Sequence, residues 1–415
     1  MSPLVGVLIL VLLGLLGSRL AFDPARAPLG PRLLLVTGSH FLLLGLLLGP
    51  FLGLLTPEVI DQLQPFMALG LGWIGLMFGL QLDRRQLGQF PVSYLVFAVL
   101  QAAITFVIFW GVADLAFRLT DHMTTGVAAA ILAAAATAAV STPAGVALIS
   151  RTFLVQGNLV RLLFFVASVD ALVGIFALQV TYAVYHPPGT AVAALGWGVW
   201  LGIAAAVGVI FGVFFLWLTR PKPDRDELTL FLLGLVVFEA GTALYLGVSP
   251  LFVAAITGML VGNLSPSRRR VYSLLQAWEK PIYVILLILA GALITVSSWL
   301  VLPLAAGYLV LRALAKALGG AISARVVPLP FLVPAEAGIG LLAQGGISLA
   351  MALSATLTYG AIAGPGASVI RITFTAIVIA VAVSELFGPF LTRDLLRKAG
   401  EITSRTESAL AEAGD

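Results

Sequence analysis

The sequence predicts an all-α polytopic membrane protein of about thirteen transmembrane helices, built as inverted repeats with two crossed, discontinuous helices. Three observations predict it. Of the 415 residues 60% are apolar and only 10% charged, where a soluble domain carries about a quarter charged residues, so water is excluded as the solvent for most of the surface. Apolar runs of about 20 residues, the length that crosses a bilayer, recur between clusters of charge, Pro and Gly. Two of those runs, in opposite orientation, hold helix-breaking residues at their centres. The 43 Gly and 22 Pro suit such helices, because lipid forces the backbone to satisfy its own hydrogen bonds even around a break.

In chain order the runs lie at 3–22, 32–54, 59–81, 91–117, 123–150, 159–184, 189–218, 228–247, 249–264, 279–297, 299–324, 332–359 and 367–392. The first lacks the basic leader and small-residue cleavage site of a signal peptide and ends near Arg19, so it is read as a retained helix. With the N-terminus outside, 19 of the 23 bases fall in cytoplasmic loops or the tail; Arg118 is opposite, and Arg312, Lys316 and Arg371 stay at or within spans. The positive-inside rule then orients the chain: N-terminus outside, C-terminus cytoplasmic, multi-pass in the cell's inner (plasma) membrane. Residues 1–392 read as one transmembrane domain and 393–415 as a short cytoplasmic tail.

Composition also excludes whole classes of chemistry. The formal charge of +4 is spread over loops rather than gathered in a patch, which argues against nucleic acid. With no cysteine there is no disulfide, thiolate site or Cys nucleophile, and His40, His122 and His186 show no ligand spacing, so no cofactor is expected.

Ionisable groups inside the apolar runs are costly and therefore mark function. Asp170, in 164-FFVASVDALVGIF-176, lies about 18 Å from the cytoplasmic end of its run at 1.5 Å per residue, close to the midplane. Arg312 and Lys316, in 309-LVLRALAKALGG-320, are four apart on one helix face; Lys316 has the reach to snorkel to the cytoplasm. Glu239, in 235-LVVFEAGTALYLG-247, is mid-span and placed to neutralise either base. Glu336 and Glu385 fall nearer run ends, where solvated or interfacial positions are expected.

The two breaks complete the pattern. In 131-ILAAAATAAVSTPAGVALIS-150, Pro143 has no N–H, so the carbonyl near Ala139 loses its helical partner, and Thr137, Ser141 and Thr142 add hydroxyls beside it. In 335-AEAGIGLLAQGGISLAMALS-354, Gly345 and Gly346 after Gln344 favour an unwound centre. A lone midplane carboxylate beside freed oxygen ligands holds a proton or a small cation but rarely both, and competition for that site with alternating exposure is enough for an exchanger.

At these residues the chain resembles the monovalent cation/proton antiporter superfamily of bacterial Na+/H+ exchangers and their relatives. The resemblance runs through 44-LGLLLGPFLGLL-55, 75-GLMFGLQLDRRQL-87, Ser141–Thr142–Pro143, Asp170, 245-YLGVSPLFVAAITGMLVGN-263, 280-KPIYVILLILAGALI-294, 343-AQGGISLAMALS-354 and 386-LFGPFLTRDLLRKAGEI-402. It implies the antiporter fold and a homodimer in which a core bundle, including 123–184 and 299–392, slides against a dimerisation bundle made of the remaining helices. It further implies that Asp170 is the ion and proton site, binding a monovalent cation directly, with Ser141 and Thr142 lining it. Either Arg312 or Lys316 would be the base that stabilises the crossed helices. Members usually precede this aspartate with Asp or Asn; Val169 stands here, which implies one charge equivalent per half-cycle and 1:1, electroneutral exchange.

The function expected is therefore monovalent cation/proton antiport with Na+ or K+, a secondary active transporter and not an enzyme. A channel would need rings of charge or a repeated filter, and an intramembrane aspartyl protease needs two facing aspartates where only Asp170 qualifies. A Na+-coupled small-solute symporter of similar architecture is the rival. The antiport reading also expects the Asp170 carboxyl not to be sealed by a neighbouring base away from every water path.

Overall fold

The computed structural model describes residues 28–186, 195–221, 223–295, 298–360 and 365–402, with Leu12, Leu13 and Leu16 besides. The run expected at 3–22 thus lies outside the described residues but for those leucines, as does the tail beyond Ile402. Among the described residues there is no strand. In chain order the principal helices are α1 (Leu29–Thr37), α2 (Phe41–Phe51), α3 (Gln64–Gln81), α4 (Val92–Leu119), α5 (Thr125–Ala139), α6 (Pro143–Thr152) and α7 (Asn158–Val184). They continue as α8 (Trp197–Leu218), α9 (Arg225–Tyr245), α10 (Pro250–Leu264), α11 (Arg268–Ala292), α12 (Val301–Val326), the 3-10 segment Ala335–Leu341, α13 (Gly346–Tyr359) and α14 (Pro365–Lys398).

Local chemistry sets the boundaries. The Thr124 hydroxyl accepts the Val127 N–H to start α5, Asp224 and Glu227 form a capping box at α9, and Pro at the first position opens α6 and α10. Gly38, at φ +78°, ends α1 in the left-handed conformation that favours glycine. Among the described residues eight helices are long and apolar enough to cross a membrane, or ten when two bent pairs each count as one span. Every run expected from 32–54 onward coincides with a helix or helix pair.

Two breaks differ from expectation. The helix over 123–150 loses its hydrogen-bond ladder at Val140–Thr142, yet α5 and α6 continue as one span, because Thr142 resumes the helix at once as N-cap with Pro143 behind it. A 68° bend separates α1 from α2, where a continuous helix was expected. The bend expected around Gly345 is present, at 68° between the 3-10 segment and α13.

The helices pack in two groups. In one, α12 packs against α4, the 3-10 segment, α14 and α5, and α7 against α4 and α5, while α14 runs beside α1, α5 and α13. In the other, α10 is wedged between α3 and α8, with α9 and α11 against α3 and α11 against α2. The α3–α10 contact is the tightest, and glycine makes it possible. A Cβ on Gly258 would run into the Leu76 carbonyl, and one on Gly79 into the Ala255 carbonyl. Gly258→Val is accordingly expected to destabilise the protein by at least about 1–3 kcal/mol and lower its melting temperature in detergent. Gly234→Val, where a Cβ meets open space, should melt like the parent. Equal melting of the two variants would mean that this backbone approach is not what the fold relies on.

Candidate functional site

The two interrupted spans meet at their breaks. Val140, Ser141 and Thr142 run extended between α5 and α6, and the Thr142 N–H donates to the Ala343 carbonyl of the opposite break at 2.9 Å. Gly345, extended at φ −166°, lies so close to Thr142 that any Cβ there would press on its side chain. The crossing therefore brings the C-terminal carbonyls of α5 and of the 3-10 segment together. Each such end carries roughly half a negative elementary charge, and neither has a helical partner left.

α12 supplies the compensation from one face, through Tyr308, Arg312 and Lys316 at successive intervals of four residues. Arg312 is 1% exposed, and its guanidinium donates to Ala138 O at 3.1 Å, Val140 O at 2.9 Å, Leu342 O at 2.6 Å and Leu341 O at 3.3 Å. It ties both interrupted helices together, which places Arg312 rather than Lys316 as the clamp at the crossing. Tyr308 adds a second tie: its hydroxyl meets Gln344 Nε2 at 3.0 Å and Thr137 Oγ1 at 3.1 Å, and Gln344 also donates to the Thr137 carbonyl.

Lys316 does something different. Its Nζ donates to Ala139 O at 2.7 Å, Ser141 Oγ at 2.7 Å and Asp170 Oδ2 at 3.0 Å, with both ionic side chains fully buried. The Ala139 carbonyl is the acceptor that Pro143 deprives of a helical donor. Lys316 therefore does not snorkel; the negative charge of Asp170 and the freed oxygens draw it inward. Asp170 Oδ1 accepts the Ser141 backbone N–H at 3.1 Å. The ammonium thus sits among a carboxylate, a hydroxyl and a carbonyl oxygen, the hard donors that a dehydrated monovalent cation seeks.

A cavity reaches this cluster from one side. Gln81 and Glu279, both exposed, stand at its mouth beside the Arg84 loop, and Ser141, Thr142 and Ser348 stand at its floor with Tyr283 on the wall. Ser141 lines the cavity while bonding both Lys316 and Asp170. Asp170 itself is paired with Lys316 and does not line the cavity; Ser141, bonded to both, does.

The remaining expected residues fall in two places. Thr137, Ser141, Thr142, Pro143, Asp170, Arg312, Lys316, Gly345 and Gly346 converge on the crossing. Glu239 does not: it is hydrogen-bonded to the Thr257 hydroxyl, which also contacts the Gly208 carbonyl at 2.8 Å, so it joins α8, α9 and α10 in the other helix group. The pairing expected between Glu239 and Arg312 or Lys316 is not made, because α9 and α12 belong to different groups. Glu385 departs too. It is fully buried, since α14 continues to Lys398 and carries position 385 well inside the helix rather than near its end. Glu336 is exposed, as expected. Tyr308 and Glu385 were missed as site-region residues; the four-residue spacing of Tyr308 from Arg312 was the available signal for the first.

A family model described as "Sodium/hydrogen exchanger, transmembrane" matches residues 7–398. Among solved structures, the chain is similar to the sodium proton antiporter MjNhaP1 from Methanocaldococcus jannaschii at pH 8, with a TM-score of 0.72 and 16% identity over 95% of this chain and 98% of that one. An electron-microscopy structure of the same antiporter gives 0.66 and 17%, over 96% and 99%. No curated protein matches the chain.

Removing the clamp leaves several buried carbonyls without a donor. Arg312→Ala is expected to cost on the order of 3–5 kcal/mol, and Arg312→Lys to recover only part of it, because an ammonium does not present the guanidinium's fork. Thermal unfolding in detergent measures both, and a lysine variant as stable as the parent would show that the fork is not needed.

Proposed function

The chain belongs to the sodium/hydrogen exchanger family, and from that premise we propose that it is an antiporter exchanging a monovalent cation, Na+ or K+, for a proton at Asp170. The observation that carries the proposal is the oxygen cage around Lys316 Nζ, with Ala139 O, Ser141 Oγ and Asp170 Oδ2 at 2.7 to 3.0 Å. The ammonium occupies the position and makes the contacts that a transported cation would take. Thr142 lines the same cavity floor, and Thr137 backs it through Tyr308.

Exchange then follows from charge. The Asp170–Lys316 pair shares one proton and is neutral overall. A cation arriving through the cavity replaces the ammonium at Asp170; Lys316, left without its counter-charge beside Arg312 in a dry bundle, gives up that proton to the cavity. The loaded site, cation plus carboxylate plus neutral amine, is neutral again. One cation enters for one proton released, so the cycle is 1:1 and electroneutral, in keeping with Val169 where a second carboxylate would otherwise add a charge. The proposal takes the helix group around α12 as a core that moves against the other group in a homodimer. It places the N-terminus outside and the C-terminus in the cytoplasm of the plasma membrane, and it needs no cofactor beyond the transported ions.

In sealed vesicles carrying the protein, addition of Na+, Li+ or K+ should dissipate an imposed pH gradient, and Asp170→Asn should abolish that response. An Asn variant that exchanges like the parent would overturn the site. The initial rate should be indifferent to an imposed membrane potential. One net charge moved would couple to the potential by about 2.3 kcal/mol per 100 mV, a change of tens of fold at that voltage, so a strong voltage dependence would overturn the stoichiometry alone.

A further inference from the structure

We propose that Glu385, with the hydroxyls of Thr37 and Ser39 at the bend between α1 and α2, forms a second site at which a proton and a monovalent cation compete, distinct from Asp170. It goes beyond the function proposed above, sharing only its currency of protons and cations.

Hydrogen-bond accounting carries it. Glu385 is fully buried, and neither of its carboxyl oxygens has a hydrogen-bond partner among the described residues, although Thr37 and Ser39 stand beside it. The Thr37 hydroxyl donates to the Leu33 carbonyl at 2.9 Å. Its single proton is then spent, so at the 3.1 Å contact between Thr37 and Ser39 only the Ser39 proton is left, to be shared between Thr37 and the carboxyl. The two hydroxyls therefore offer the two carboxyl oxygens at most one proton between them. Four oxygens thus face one another with one hydroxyl proton among them, and α1 ends here with the negative end of its dipole. A buried group so short of donors is completed by a proton on the carboxyl, donated to a hydroxyl oxygen, or by a cation shared among them.

Among the described residues no Lys or Arg is hydrogen-bonded to the carboxyl. His40 turns Nδ1 to the Leu34 carbonyl at 3.4 Å, Lys280 and Glu279 lie at exposed positions of α11, and Tyr283 is a neutral phenol. Tyr283 also connects the site to the cavity: it lines the cavity wall and lies within electrostatic reach of Glu385. Next in sequence, Ser384 accepts the Gln344 N–H at 3.2 Å. The second site therefore abuts the break that crosses over Thr142.

Proton release on cation addition to the detergent-purified full chain tests this, read with a pH dye in weak buffer as NaCl, KCl or LiCl is added against choline chloride. Asp170→Asn and Glu385→Gln are each expected to keep roughly half of the parent's release, and the double variant none. Ser39→Ala, which keeps the carboxyl but removes a ligand, should raise the cation concentration for half-release of the remaining proton in the Asp170→Asn background about 5-fold. Glu385→Gln releasing as much as the parent, or Asp170→Asn releasing nothing, overturns this site while leaving antiport at Asp170 intact; no release from the parent overturns both. If Glu385→Gln fails to fold, the Ser39→Ala comparison decides: an unchanged midpoint overturns the site.

Discussion

Everything at the centre of this molecule depends on two cations held by carbonyls that two interrupted helices leave without donors. An intact helix needs no such help, since every carbonyl but the last four is bonded within it. Interrupting two helices at the same depth creates two negative ends inside the bundle, and Arg312 and Lys316 answer them from one face of α12. Two cations stand there against one carboxylate and the carbonyl ends of α5 and the 3-10 segment. Remove either the breaks or the bases and the remainder is a buried charge without a counterpart, so each explains why the other is tolerated in lipid.

The two bases are not equivalent, and the difference is geometric. A guanidinium is flat and presents a fork of donors, so Arg312 reaches carbonyls on both interrupted helices at once and is fixed by them. An ammonium is a compact point charge on a flexible stem, and Lys316 binds one carbonyl, one hydroxyl and one carboxylate. Those three oxygens would serve a small cation equally well. A fork of donors and a point charge thus stand four residues apart on the same helix.

How much of this was readable in the sequence follows from the range of the physics involved. Apolar runs, the Pro143 break and the Gly345–Gly346 break are local, and they located the spans and the crossing. The midplane position of Asp170 came from counting residues along one helix. Which base clamps and which pairs with Asp170 depends on the rotation of α12 against α5 and α7, which a spacing of four cannot tell. Glu239 was assigned to the wrong partner because membership of a helix group is a tertiary fact. Glu385 was read as interfacial because the apolar run stops at 392, whereas α14 continues through charged residues to Lys398. The α1–α2 bend rests on Gly38 alone, and a single glycine inside an apolar run bends some helices and not others.

The contact between the two helix groups bears on how such a site can be exposed. Hydrogen bonds that cross it include the Ser249 N–H to Gln179 at 3.0 Å, the Ser249–Ser354 hydroxyl contact at 3.5 Å and the Thr295 N–H to Thr375 at 2.9 Å. All three lie toward the face opposite the Arg84 loop, beyond the breaks. On the Arg84 side the groups instead part around the cavity that descends from Gln81 and Glu279 to Ser141. The closed side is held by a few directional bonds over a largely apolar contact, and the open side by none that cross at the cavity. Under the antiport proposal, exposing Asp170 to the other side would break those bonds while apolar surface moves over apolar surface. A bonded network across the whole contact would have locked the site to one side, and exchange needs both.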